Sequence, residues 1–283
     1  MSTPESDREL ADASPLGKQV SYRDTYAPDL LFPIPRQPKR DEIGISPGGL
    51  PFYGEDLWNA YELSWLNLRG KPLVAIARFR VPATSPRLIE SKSLKLYLNS
   101  LNQSRFESPD EVRSLLTHDL SEVCGAVVDV VVEPLSQRPL RHFGVPDGVL
   151  LDELDIDIDT YRPAPGMLRA DHARPEVAET LYSHLLKSNC LVTGQPDWGT
   201  VVVRYTGAPL NREALLRYIV SFRNHNEFHE QCVERIFCDV LCACRPRSLT
   251  VWARYTRRGG LDINPYRATN PGDAPDNLFE IRQ

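Results

Sequence analysis

The feature that most restricts the fold is a pattern that occurs twice. Residues 61–68 are apolar and aromatic, 69–72 (Arg-Gly-Lys-Pro) form a turn, and 73–81 are strongly β-prone, which predicts a hairpin. Leu94, Tyr97, Leu98 and Leu101 then recur at helical spacing within 88–101. A second helix opens at Ser108-Pro109, with serine as the cap and proline in the first turn, and runs to about Val123. Residues 125–133 read as a strand. The same order returns further on: a hairpin from 178–191 and 198–205 around Gly194-Gln195-Pro196, helices over 211–222 and 227–242, and a strand over 248–255. Both halves therefore read ββααβ with a further final strand. Residues 101–107 line up with 223–229, placing Asn102 over Asn224 and Phe106 over Phe228. Duplication of one supersecondary unit accounts for this order, and its apolar content suits an α+β fold in which an antiparallel sheet carries helices on one face.

Around this frame, residues 1–50 are rich in proline and charge, with Pro33, Pro35 and Pro38 closely spaced. They read as an extended arm, whose Leu30, Leu31, Phe32 and Ile34 anchor its second half to the body. The halves then fall at 51–150 and 151–283. Residues 152–159 alternate acidic and apolar side chains, which fits a partly exposed strand better than a calcium loop. Pro163, Pro165 and Pro175 mark the connection between the halves.

The formal charge of -5 offers no global reason to bind nucleic acid or an anionic membrane. No apolar run approaches a membrane span, and residues 1–19 lack the apolar segment of a secretory signal. The six cysteines then read as reduced thiols in the cytoplasm. Cys238, Cys242 and Cys244 lack a second CxxC and fall in a helical run, which favours a packed thiol face over a metal site.

Four segments carry the residue types of a reactive site. Cys190 precedes the Gly-Gln-Pro turn and Asp197 follows it, so a hairpin brings a soft nucleophile near a proton-bearing group. On spacing alone the plainer reading, a packed thiol beside a solvated turn carboxylate, is the one free cysteines ordinarily satisfy. Glu90-Ser91-Lys92-Ser93-x-Lys95 opens a helix, where backbone N–H groups and lysines suit an anion or simply cap the helix. Asn226-Glu227-Phe228-His229-Glu230 also opens a helix: a carboxylate there suits the N–H edge of a guanine-like ring, and the helix dipole favours it without any ligand. Arg254-Tyr255-Thr256-Arg257-Arg258-Gly259-Gly260, at a strand end, combines three arginines with bare glycine backbone, for a phosphate or for a surface turn.

Together these four motifs, in this order on a duplicated frame, resemble the NADPH-dependent 7-cyano-7-deazaguanine reductases in their long, two-half form. The likeness runs through the Leu31-Phe32-Pro33-Ile34-Pro35-Arg36 arm and the Arg257–Pro265 tail. It implies tandem tunnelling-fold units, each ββααββ, in a homodimer with sites between adjoining units, and no resident metal. It implies Cys190 as nucleophile and Asp197 as proton donor. His229 and Glu230 would hold the deazaguanine with Ile89, Glu90 and Ser91, and Ser91, Lys92, Arg258 and Gly259 would meet NADPH. The implied reaction, a step of queuosine biosynthesis, passes through a covalent thioimide, a thiohemiaminal and an imine to the aminomethyl product, with two NADPH consumed. Two alternatives stand beside it: a zinc-dependent cyclohydrolase of the same fold, and a purine- or pterin-binding module without catalysis.

Overall fold

A computed structural model describes residues 22–137 and 143–283. The chain divides into two compact units. Among the described residues the first takes in 22–42, 55–137 and 257–263; the second takes in 43–54, 143–256 and 264–283.

In the first unit the hairpin is β2 (Tyr53–Leu66) and β3 (Pro72–Pro82), and β3 also pairs antiparallel with β5 (Asp129–Pro134). Between β3 and β5 lie the short β4 (Arg87–Ile89) and the helices α2 (Ser91–Asn99) and α3 (Pro109–Cys124). The expected cap of α3 is present: the Ser108 hydroxyl accepts from the Glu111 amide at 3.2 Å, with Pro109 in the first turn. The apolar positions read from the sequence are the ones buried: Leu94, Tyr97, Leu98 and Leu101 pack with Trp65, Phe79, Leu116 and Leu120. The arm is not purely extended. It holds a strand, β1 (Pro33–Pro35), paired with β4, and a short helix, α1 (Gln37–Glu42). Ile34 is buried, and the Phe32 amide donates to Ser93 Oγ at 3.0 Å, so the arm's second half is tied to the body.

The second unit runs β7 (Val177–Asn189), β8 (Pro196–Gly207), α4 (Arg212–Val220), α5 (His229–Cys244), β9 (Ser248–Tyr255) and β10 (Leu261–Ala268), a complete ββααββ sequence. The first three residues of β10 belong to the first unit. The strand order is β10-β9-β8-β7-β6, antiparallel except that β6 (Val149–Leu150) lies parallel to β7. Helix α4 packs against β7, and α5 against β9. Val233, Ile236, Phe237 and Val240 of α5 are fully buried, each stabilising the unit by roughly 1.5–3 kcal/mol.

The duplication extends to individual bonds. Tyr97 donates its hydroxyl to Asp119 and Tyr218 to Asp239, both at 2.6 Å. Ser100 bonds back to the Tyr97 carbonyl, as Ser221 does to that of Tyr218. Both hairpins carry a register shift at the same place, Ala60/Leu63 and Ser183/Leu186. Leu66 exchanges backbone bonds with Ser104 and Phe106; Asn189 exchanges them with His225 and Glu227. That pairing matches Phe106 with Glu227, one residue away from the Phe106–Phe228 alignment expected from side-chain identity. Backbone bonding, not the shared phenylalanine, sets the equivalence.

Two further expectations change. Residues 152–159 form no strand. Leu154, Ile156 and Ile158 are half-buried and Glu153, Asp155, Asp157 and Asp159 exposed, so the period of two occurs here in a segment that opens on a turn at Asp152 and Glu153 and joins no ladder among the described residues. The last long helix begins at His229, not Glu227, because Phe228 is extended and Glu227 pairs backbone with Asn189.

Candidate active site

The Cys190 hairpin is closed by two backbone bonds, Cys190 N to Gln195 O at 2.8 Å and Gly194 N to Cys190 O at 3.0 Å. In the β7–β8 ladder Ser188 stands opposite Asp197. Alternation along the strand puts Ser188 and Cys190 on one face, so Asp197 is the diagonal neighbour of Cys190, about 7–8 Å away by backbone spacing. All three side chains are buried, Cys190 at 7% and Asp197 at 3% exposure. The hairpin thus brings thiol and carboxyl to one enclosed face.

The start of α5 reaches the same place through the Asn189 bonds. Asn189 Nδ2 adds a bond to Asn226 Oδ1 at 3.0 Å. Three residues later His229 directs Nε2 to Asp197 Oδ2 at 3.3 Å, while its Nδ1 is buried without a hydrogen-bond partner among the described residues. Glu230 follows in the first turn of α5, where the helix dipole favours a negative charge, and is buried.

Glu227 holds this junction. Arg235 Nη2 meets its Oε1 at 2.8 Å and His225 Nε2 its Oε2 at 3.0 Å. Burial pushes the Glu227 carboxyl up, but the hydrogen bonds from His225 and Arg235 outweigh it and hold the group at about 2. Glu227 lies within the Asn226–Glu230 motif, yet its role as an anchor depends on Arg235 reaching back to it across eight residues, about two helical turns.

Burial pushes Cys232 and Cys238 up to about 12 and Cys244 to about 11, which keeps them as thiols at neutral pH. No group of three or more His, Cys, Asp or Glu side chains suited to a metal occurs among the described residues.

The remaining expected site residues all lie in the first unit. Ile89 is buried at the end of β4. Glu90 caps α2, accepting from the Lys92 amide at 2.8 Å and the Ser93 amide at 2.7 Å. Burial raises its carboxyl, against the pull of those two amides. Ser91 and Lys92 form the first turn of α2. Arg258 and Leu261 exchange backbone bonds of 2.9 and 3.1 Å around Gly259 and Gly260, whose φ angles of 59° and 80° describe a tight turn of the I′ kind. This turn meets α2: a Cβ on Gly259 would come within 3.1 Å of Lys95 Cδ, and one on Gly260 within 2.4 Å of Glu62 Cδ. Lys95 and Glu62 pair at 3.5 Å. Sequence reading placed Lys95 in the α2 motif but missed Glu62, which carries no local signal.

A family profile described as "Nitrile reductase, 7-cyano-7-deazaguanine-reductase N-term" matches residues 22–132, and one described as "QueF-like protein" matches 196–273. The NADPH-dependent 7-cyano-7-deazaguanine reductase of Aromatoleum aromaticum is 70% identical over 273 residues, covering 96% of each chain. The enzymes of the same name from Azoarcus sp. and Dechloromonas aromatica are 66% and 65% identical, covering 96% of this chain and 96% and 95% of theirs. The chain belongs to the NADPH-dependent 7-cyano-7-deazaguanine reductase family.

Proposed function

We propose that the chain reduces the nitrile of 7-cyano-7-deazaguanine to an aminomethyl group with NADPH, as a step of queuosine biosynthesis in the cytoplasm, and that it works as a homodimer without binding nucleic acid. Full-length identity of 70% to an enzyme of that name supports the reading, and one observation of the site carries its chemistry: a buried thiol and a buried carboxyl share one hairpin face, with His229 against the carboxyl. Among the described residues no helix is long and apolar enough to cross a membrane.

In this reading the Cys190 sulfur adds to the nitrile carbon while Asp197 delivers a proton to the nitrile nitrogen and takes up the proton the thiol loses, so thiol and nitrile combine into a thioimide with no leaving group. Burial of Asp197 suits a carboxyl that must hold a proton until that moment. Glu230 accepts N–H donors of the deazaguanine ring, and His229 fixes Asp197. Ile89, Glu90 and Ser91 support the ring. Glu90 does so from its capping position, since both its oxygens engage α2 amides.

The residues of the first unit fit the dinucleotide. Gly259 presents bare backbone where a Cβ would press on Lys95, Arg258 flanks the same turn, and Ser91 and Lys92 offer the start of α2. NADPH supplies the two hydride equivalents that the four-electron reduction requires. The division of labour then follows the two tunnelling-fold halves, 51–150 and 151–283, preceded by the arm: cofactor motif in the first, thiol and substrate carboxylate in the second, with Arg258 and Gly259 packed into the first unit.

The test is loss of NADPH absorbance on adding the nitrile, in the presence of a metal chelator. Turnover in chelator is expected. Loss of activity in chelator would favour the zinc-dependent reading, and nitrile binding without NADPH oxidation would favour a non-catalytic module.

A further inference from the structure

Tyr255 ends β9 and is fully buried. Its ring lies parallel to the His229 imidazole, with centroids 3.9 Å and planes 7° apart. At that separation the rings are in face contact, and neither tilts without losing it. The phenol ring in turn rests on β8. Gly199 stands directly across the ladder from Tyr255, and a Cβ there would come within 3.1 Å of Cδ1 and 3.3 Å of Cε1. Glycine at this strand position permits the close approach. The end of β9 is further pinned by Thr256 N to Trp198 O at 2.9 Å and Gln283 Nε2 to Tyr255 O at 3.2 Å. Gly199 and Trp198 directly follow Asp197 in β8, so the strand that seats the phenol ring also carries the carboxyl.

The imidazole has Nε2 3.3 Å from Asp197 Oδ2, a charge contact, while Nδ1 is buried without a hydrogen-bond partner among the described residues. We infer that Tyr255, seated on Gly199, is a positioning residue for the nitrile chemistry, its ring holding the His229 imidazole in the plane from which Nε2 meets the Asp197 carboxyl. This rests on the proposed role of Asp197 as proton donor. In this role the phenol ring acts through His229.

The experiment follows thioimide formation by stopped-flow absorbance with the nitrile and without NADPH. It compares the parent, Tyr255→Leu, Tyr255→Phe, His229→Ala and the His229→Ala/Tyr255→Leu double variant. Tyr255→Leu is expected to slow adduct formation by about tenfold or more, because small misplacements at a reacting centre are costly. Tyr255→Phe, which keeps the ring, should recover most of that loss. In the His229→Ala background the leucine should change the rate by less than about twofold, since the group it would misplace is gone. A purely structural tyrosine would instead slow both backgrounds equally, and that outcome, or an unaltered rate in Tyr255→Leu, overturns the inference. If Tyr255→Leu does not fold, Gly199→Ala, whose Cβ would press on the ring at 3.1 and 3.3 Å, should slow adduct formation in the parent and leave the His229→Ala background within about twofold; equal slowing in both, or no slowing in the parent, overturns the inference. A parent protein that neither forms the adduct nor oxidises NADPH would overturn the proposed function itself, which separates the two failures.

Discussion

Glu227→Gln tests whether the junction between the Cys190 hairpin and α5 is held by charge. The Glu227 carboxyl titrates at about 2 in the fold instead of at its ordinary 4.5. At about 1.4 kcal/mol per pKa unit this corresponds to on the order of 3 kcal/mol of stability. Because the folded value is depressed, the contribution is complete above pH 4.5, shrinks as pH falls from 4.5 towards 2, and is gone below 2. Glutamine keeps an acceptor for His225 or Arg235 but removes the Glu227 charge from beside the Arg235 guanidinium, which is only 15% exposed. Unfolding in urea, followed by tryptophan fluorescence across pH 7 to 3, should therefore show the variant about 3 kcal/mol less stable near neutrality. The gap between parent and variant should narrow by about 2 kcal/mol between pH 5 and 3. A gap that stays constant over that range would mean that the carboxylate is not the group being stabilised. A gap that widens on acidification would reverse the sign of the argument.

Three further outcomes test the site. Intact-protein mass spectrometry with the nitrile should show one added substrate mass per chain, absent in Cys190→Ala; the first unit has Asn67 at the matching turn position and Leu73 where Asp197 stands in the second, so a second adduct would contradict the assignment. Glu230→Ala should weaken nitrile binding by well over tenfold in calorimetry, as expected when a buried charged partner is removed, with NADPH affinity little changed; equal nitrile affinity would exclude a recognition role. Lys92→Ala should raise the KM for NADPH while the thioimide still forms, and a block in adduct formation would place the lysine on the nitrile or the fold instead.

The two hairpins, the paired helices and the closing strands were legible in the amino-acid sequence because the interactions that specify them are short-range. Alternating apolar residues flank Gly- and Pro-containing turns, Ser108-Pro109 caps one helix, and Leu94, Tyr97, Leu98 and Leu101 mark the buried stripe of another. The nearness of Cys190 to Asp197 belonged to the same class, since a turn of known length dictates which residues face each other. Tertiary structure alone decided the rest. Residues 152–159 have the period of a strand, but a strand requires a ladder partner and none pairs with them among the described residues. His229 meets Asp197, and Tyr255 meets His229, across 32 and 26 residues of chain, through strand pairing that no local pattern encodes. Arg258 and Gly259 follow β9 of the second unit, yet their turn packs on Lys95 and Glu62 of the first. Glu227 became an anchor instead of a helix residue once Asn189 claimed its backbone. Sequence periodicity reports which face of an element is apolar; which distant residues occupy the space against that face is set only when the elements pack.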